Sequence, residues 1–529
     1  MKGAGYTIDA QVDILPTFAT DAGADLLSEP FLRKMVKDQL HHDLMSVTTS
    51  NSLRQPYGTW QLVLPASPVA GQRNWAEIIK PYQLVTISLY RRGDRNDPAC
   101  TDRPQPVMIG LVDWVGICED YSQAAPQRIV RVMGRSLAGV LTDQRWWYHH
   151  FLQTNPPPDL RQFYQPQPTE TLLRDQFKDL QGEALLRALG FYAIDVDLFN
   201  DVTQRHATAA IQRAYEFFVA GLPNRRALMQ LQFGDGSKLK DRLVLIAPPG
   251  AFHDTAARLV QQFVPTQVDM DQWSAWDTFQ YFTQSPFDEV FTDTFGTTPE
   301  SAQCAIVVRK PPWVGHIGYS GRQPNVEFST GKYPVAGGTL FDSQYGLWDV
   351  MKETIEINGS DVLSIPMMRR GIDNPQSLYN YYYVLPQLGS GQGNVQDQTL
   401  WGQEIPPIVD ESLSSPSFIG RYGIHPVRLP NKYISVLKND KGDRYEIGDI
   451  SRHAVAHAAL LRAWFYQLPD MWNGTYVVKG RTSLRPGRRL VDKDLNREFY
   501  IISATHSVEL GQRPGYTTTV EVERGWSLQ

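Results

Sequence analysis

Apolar and polar side chains alternate through much of the first third of the chain. Residues 84–90 alternate best, with Val85, Ile87 and Leu89 on one face and Thr86 and Ser88 on the other. A period of two marks a strand with one buried face. Residues 58–64 repeat the pattern through Trp60, Leu62 and Leu64, after turn residues Gln55, Pro56, Tyr57 and Gly58. A short polar strand at 43–51 precedes them, and strands at 107–115 and 128–133 follow. Short strands at this spacing predict a small antiparallel barrel or sandwich.

The pattern changes near residue 136. Residues 136–148 read as a helix, and Pro156, Pro157 and Pro158 close this part of the chain, since proline breaks helices. A second helix is capped by Thr203 and ended by Gly221 and Pro223. Its stripe of Ala207, Ala210, Ile211, Ala214 and Phe218 has helical spacing and is read as packing against a neighbouring domain rather than as a cofactor site. Farther on, residues 305–309 read as a strand stopped by Pro311 and Pro312. Four tyrosines between Tyr379 and Tyr383 suggest a strand at an interface, and residues 389–394 read as a flexible loop.

The C-terminal part is clearer. Ser451 opens a helix with Ala454, Ala458, Leu461 and Phe465 on one face, and Pro469 ends it. Strands are expected at 474–479, 498–506 and 516–524. In the last, Thr518, Val520 and Val522 face one way and Thr519, Glu521 and Glu523 the other. An apolar inner face and an acidic outer face suit a barrel wall turned toward solvent or a lumen. No repeat at fixed period is present.

Composition removes several function classes. A chain of 529 residues predicts three or four domains. The net charge is −5 with no long basic run, which disfavours nucleic-acid binding by charge. Cys100, Cys118 and Cys304 are the three cysteines, an odd count without metal-ligand spacing. That argues against a disulfide framework and fits a reducing cytosol. Residues 1–11 lack a signal-peptide pattern, and no apolar run has transmembrane length. The 13 tryptophans and 24 tyrosines fit either obligate interfaces or large cores.

Motifs for chemistry are absent: no His-Glu-x-x-His, no phosphate-binding Gly-x-x-x-x-Gly-Lys and no Gly-x-Ser-x-Gly. The pairs His41-His42 and His149-His150 are adjacent, so their side chains diverge and a shared metal is disfavoured. Asp195, Asp197 and Asp201 lack the glycine turn and closing Glu of a calcium loop. Asp269 and Asp271 read as loop. Arg485, Arg488 and Arg489 surround Pro486-Gly487, as a solvated hairpin or as a contact for an acidic partner surface. No catalytic, cofactor-binding or metal-binding residue is assigned, and no cofactor is expected.

Several segments, in order, resemble the hub proteins of contractile-tailed phages and related injection machines. At the N-terminal end these are residues 50–60 (Ser-Asn-Ser-Leu-Arg-Gln-Pro-Tyr-Gly-Thr-Trp) leading into 61–64, Trp75 with 79–88 (Ile-Lys-Pro-Tyr-Gln-Leu-Val-Thr-Ile-Ser), 107–113 (Val-Met-Ile-Gly-Leu-Val-Asp), and 128–143, whose Gly134-Arg135 turn follows a strand. In the middle they are 286–293 (Pro-Phe-Asp-Glu-Val-Phe-Thr-Asp) and 306–313 (Ile-Val-Val-Arg-Lys-Pro-Pro-Trp). Near the C-terminus they are 474–480, 484–487, 499–506 and 516–519. Together they extend over roughly half of the chain. Ser136 departs from the family, which often has an acidic residue there, and 150–280 carries no family motif.

The resemblance implies a mainly β chain with α+β insertions: two tail-tube-like antiparallel β-barrels plus helix-containing accessory domains. The expected divisions are 1–150 for the first barrel with its closing helix and 151–285 for a mixed insertion. Residues 286–430 are expected to contribute to the second barrel and the hub interface, and 431–529 to supply a helix and its closing strands. The implied function is structural. A homotrimer would form a pseudo-sixfold ring in the virion baseplate, joining the tail tube to the central spike among other baseplate subunits. Phage DNA would pass its lumen only in transit, after assembly in the host cytoplasm and with no stable membrane insertion. Two alternatives remain at this point. One is a tail-associated peptidoglycan hydrolase, prompted by the unassigned 150–280 stretch. The other is a carbohydrate-binding distal tail protein, prompted by the aromatic content.

Overall fold

The computed structural model describes residues 7–17, 30–69, 73–93, 100–101, 103–120, 127–145, 211, 214–221, 231–246, 273–283, 289–309, 354–371, 379, 381–386, 408–409, 420, 423–431, 471–510 and 515–528. The described chain is mainly β, with one large and dominantly antiparallel sheet.

The N-terminal part contributes β1 (Thr7–Leu15), β2 (Ser46–Ser52), β3 (Thr59–Pro65), β4 (Leu84–Arg92), β5 (Gln105–Asp120) and β6 (Gln127–Ser136). They lie in the order β1-β4-β5-β6-β3-β2, each pair antiparallel. Helix α1 (Pro30–Asp43) connects β1 to β2, the two ends of this run. It buries Val36 and Leu40 in the core formed by Ala10, Val12, Trp60, Leu62, Ile87 and Val132. Short helix α2 (Trp75–Ile78) is capped by the Asn74 side chain, which accepts from the Glu77 amide. Its buried Trp75 donates to Asp43 at 2.9 Å, tying α2 to the end of α1.

The C-terminal run contains β10 (Thr354–Ile357), β11 (Val362–Arg370), β15 (Trp472–Lys479), β16 (Arg489–Asp492), β17 (Arg497–Glu509) and β18 (Gly515–Ser527). It has its own core of Ile355, Tyr476, Leu490, Phe499, Ile501 and Val522. β17 is the hinge of the architecture. Its first residues pair with β16, Ser503 to Glu509 pair with β2, and its length pairs with β18. Where two barrels are expected from the sequence, the described residues form two runs of strands within one twelve-stranded sheet, joined at a β2–β17 seam.

A third part packs against both runs. It comprises a π-helical turn (Glu216–Ala220), α4 (Leu239–Arg242), β7 (Leu243–Ile246), α5 (Ala275–Phe282), β8 (Glu289–Phe295) and β9 (Gln303–Arg309). α3 (Val140–Asp143) reaches it from the end of β6. The strands form a sheet in the order β7-β9-β8. Phe218, Phe279 and Ile306 share a core with Leu84, Ile109 and Leu137 of the N-terminal run. A small sheet of β12 (Tyr381–Pro386), β13 (Ile408–Val409) and β14 (Pro426–Asn431) includes Tyr382, buried and donating to the Tyr379 carbonyl at 2.7 Å.

Several expectations need correction. The helix expected at 136–148 is a 3-10 turn (Leu137–Gly139) followed by the single turn of α3. Beyond it, Arg145 bridges to Ser274, and the Ala275 amide donates to the Gln144 carbonyl at 2.9 Å. Pairing with the α5 segment takes the backbone that a longer helix would need. The open face expected for Thr86 and Ser88 is covered, leaving them 5% and 0% exposed. Strand β1 and helix α1 were not anticipated, and the polar strand begins at Ser46 rather than 43. The second helix does end at Gly221, whose φ of 92° suits glycine. The expected features at 149–150, 155–158, 195–210, 269–271, 311–313, 389–394 and 451–469 lie outside the described residues.

Candidate functional site

Alternation along the seam strands builds a two-sided wall. On β2, Val47, Thr49 and Asn51 are buried, whereas Ser46, Thr48, Ser50 and Ser52 are half-buried on the other face. β17 repeats this, with Ala504, His506 and Val508 inward and Ser503, Thr505 and Ser507 outward. β18 places Thr518, Val520 and Val522 inward and Thr517 and Thr519 outward. Hydroxyl and β-branched side chains suit a pleated, half-covered surface.

Register aligns these hydroxyls into rows. Ser50 lies opposite Thr505, which lies opposite Thr519; Thr48, Ser507 and Thr517 form the next row. The Ser50 and Thr505 hydroxyls share a hydrogen bond of 2.9 Å. The outward positions of these three strands carry no cation over 46–52, 503–509 and 515–523. Their charges are Glu509, Glu521 and Glu523. Arg54, just beyond β2, reaches back over this face, with Nη1 at 3.5 Å from Glu521 and Nη2 at 3.2 Å from Glu523. The result is a hydroxyl-rich and weakly acidic surface about three strands wide.

Behind the seam, buried polar groups hold the parts in register. His506 is buried with its Nδ1 at 3.0 Å from the Thr518 hydroxyl and 3.2 Å from the Tyr516 hydroxyl. Burial, then the Arg485 charge, lower its pKa to about 3, so it is neutral here. Arg309 at the end of β9 pairs with Glu289 at 2.7 Å, and Tyr500 donates to the same carboxylate at 2.6 Å. Arg309 also donates to the Gly487 carbonyl. Burial lowers the Arg309 pKa, but the charge of Glu289 together with the contacts to Glu289 and Tyr500 raises it above its ordinary value. Burial and the neighbouring Glu289 push the Tyr500 hydroxyl well up, so it stays protonated.

The Arg485, Arg488 and Arg489 cluster is where sequence reasoning missed most. Arg485 and Arg488 are 8% and 4% exposed. Arg485 donates to the carbonyls of Thr294 and Pro106 and lies 3.5 Å from Asp293. Arg488 donates to the Ser483 carbonyl at 2.8 Å, and Arg489 pairs with Glu498 at 2.9 Å. The cluster is an internal clamp linking the C-terminal run to β8 and β5, neither a solvated hairpin nor an open patch for an acidic partner. A sequence signal existed in Glu289, Asp293 and Arg309, which are charged positions on strands. Nothing in the local pattern said that they would be buried together.

The remaining singled-out residues have local roles. Ser136 exchanges hydrogen bonds with Gly58: its amide donates to the Gly58 carbonyl at 2.7 Å, and its hydroxyl accepts from the Gly58 amide at 3.2 Å. His41, on α1, lies 3.8 Å from Asp9 of β1. Cys304 is buried, and burial pushes its thiol up to about 12, whereas Cys100 and Cys118 are half-buried. Among the described residues, no group of three or more His, Cys, Asp or Glu is arranged to hold a metal, and no helix is long and apolar enough to cross a membrane.

No protein-family model matches the chain, and no curated protein matches it significantly. Solved structures do resemble it at low identity. A tail protein from Neisseria meningitidis aligns with 11% identity and a TM-score of 0.39, over 98% of this chain and 96% of that one. A 43 kDa tail protein of prophage MuSo2 from Shewanella oneidensis aligns with 10% identity and a TM-score of 0.41, over 90% and 94%. A component of the type VI secretion system of E. coli, itself described as structurally similar to T4 bacteriophage tail proteins, aligns with 9% identity and a TM-score of 0.32, over 98% and 77%.

Proposed function

We propose that this chain is the hub subunit of a phage tail baseplate, with a structural rather than catalytic role. The seam carries the reading. Two runs of strands, each with its own core, share one sheet within a single chain across β2 and β17. In a closed trimer, two such runs per chain would present a pseudo-sixfold ring, matching a sixfold tube on one side and a threefold spike on the other.

Two further features support it. The end strand β11 has only β15 beside it among the described residues and exposes Leu363, Ile365 and Met367, at 53%, 42% and 48%. Exposed apolar side chains on an uncovered edge are an aggregation hazard unless a partner covers them. A neighbouring copy in the ring is the occupant this reading assigns. The hydroxyl face of the seam is then the channel lining, past which phage DNA moves without stable binding. The protein would act in the virion, after assembly in the host cytoplasm, in contact with spike, tube and other baseplate subunits.

Mass photometry of the purified chain, alone and with its spike protein, tests the assembly. A trimer is expected, strengthened by the spike. Monomers throughout, with no spike-dependent species, would overturn the reading. Electron cryomicroscopy of the ring is expected to show Ser50, Thr505 and Thr519 facing the lumen.

A further inference from the structure

At one border of the seam face an arginine is held by two glutamates, and on the neighbouring strand β15 Lys479 stands opposite Thr517. Arg54 is 64% exposed, yet it spans Glu521 and Glu523. Glu521 is positioned in turn by the Ser503 hydroxyl at 3.2 Å. Glu523 also lies 3.5 Å from the buried Arg524. Exposed ion pairs contribute little to stability, commonly under about 1 kcal/mol. Stability is therefore a weak reason for this arrangement, and its consequence for charge is the stronger one.

A cation on a surface gives a polyanion a foothold, because phosphate contact releases condensed counterions. Hydroxyls do not substitute for it, since they exchange hydrogen bonds with water at small net gain. A face of serine and threonine with one free arginine would hold a polyanion at that point. The same face with the arginine engaged would not.

We propose that Arg54 is a masked cation: Glu521 and Glu523 engage its guanidinium so that it offers no binding point to a duplex nucleic acid moving past the hydroxyl face. This rests on the channel-lining reading of the same face. Masking leaves that part of the wall polar and less adhesive to the cargo.

Fluorescence anisotropy with a short labelled DNA duplex at low salt tests it on the full chain. Glu521→Gln with Glu523→Gln is expected to tighten binding about tenfold, the size of one charge-assisted hydrogen bond, with the gain lost as salt rises. Adding Arg54→Ala to that variant is expected to return affinity to the wild-type level. Because Glu523 neighbours buried Arg524, the double variant carries a folding risk. Glu521→Gln alone covers it, with a smaller gain that Arg54→Ala again removes. No gain in either folded variant, or a gain that survives Arg54→Ala, would overturn the proposal. A ring reconstruction with this face outside the lumen would instead remove the channel reading, while the anisotropy result still decides whether Arg54 is masked.

Discussion

Ser50 and Thr505 lie 455 positions apart and share a 2.9 Å hydrogen bond between their hydroxyls. Around that bond, Ser46 to Ser52 pairs with Ser503 to Glu509 as an uninterrupted antiparallel ladder. The two ends of the chain thus close on each other in the middle of the sheet.

The ladder gives the first prediction. Thr505 is flanked by Ser50 on one side and Thr519 on the other. Proline in such a central strand removes a ladder donor, and the acceptor left unsatisfied costs about 1–3 kcal/mol. Thr505→Pro is expected to lower the urea midpoint sharply, whereas Thr505→Ser leaves it nearly unchanged. Equal midpoints for the two variants would show that the seam contributes nothing to stability.

The buried Arg309–Glu289 pair gives the second. Removing one partner leaves the other charge buried without its counterpart, typically costing about 3–5 kcal/mol. Arg309→Met and Glu289→Met are each expected to destabilise by that order. The double variant is expected to lose less than the sum, because neither charge then remains. A double-mutant cycle from denaturation curves measures the coupling, and strict additivity would refute it.

Gly134 gives the third. A β-carbon there would stand 2.0 Å from the Leu111 carbonyl oxygen and 2.4 Å from the Trp60 ring. The carbonyl belongs to the adjacent strand and cannot move aside cheaply. Gly134→Ala is expected to cost about 3 kcal/mol, the upper part of the usual overpacking range. Thermal melting checks this; Gly515→Ala, where a β-carbon meets nothing within 4 Å, is the comparison.

His506 gives the fourth. Its pKa is about 3 in the folded chain, against an ordinary value of 6.5. Between those values the unfolded chain takes up a proton that the folded chain refuses, so stability falls as pH drops from 6.5 toward 3 and is fully present above 6.5. The slope from this group approaches about 1.4 kcal/mol per pH unit within the window. His506→Gln is expected to flatten that part of the stability profile, read from urea midpoints at successive pH values. An unchanged slope would mean that His506 does not titrate differently in the two states.

Much of the strand content was legible in the chain. Val85, Ile87 and Leu89 point inward as their alternation requires, as do Val520 and Val522. The inward and outward sides of β18 follow from sequence alone, because a period of two allows only two assignments and burial selects the apolar one. The arginines were not legible in this way. Arg485 carries the same local signals as a solvated hairpin residue, but its partners are Pro106, Asp293 and Thr294. They lie 379, 192 and 191 positions away.

By itself, then, the sequence determined the strands with the clearest alternation, β3, β4, β17 and β18 among them, the apolar face that each turns inward, and some of the glycines and prolines that interrupt the chain. These properties depend on neighbours within a few residues. Only the tertiary structure decided that β2 meets β17, that β4 is covered on both faces, and that Arg309, Glu289 and Tyr500 meet in the interior. Strand pairing and ion pairing join groups far apart in sequence, and local patterning carries no record of which distant partner satisfies them. The hydroxyl face belongs to both levels. Its serines and threonines were visible as the polar half of each alternation, and it became one surface only when three strands from opposite ends of the chain were laid in register.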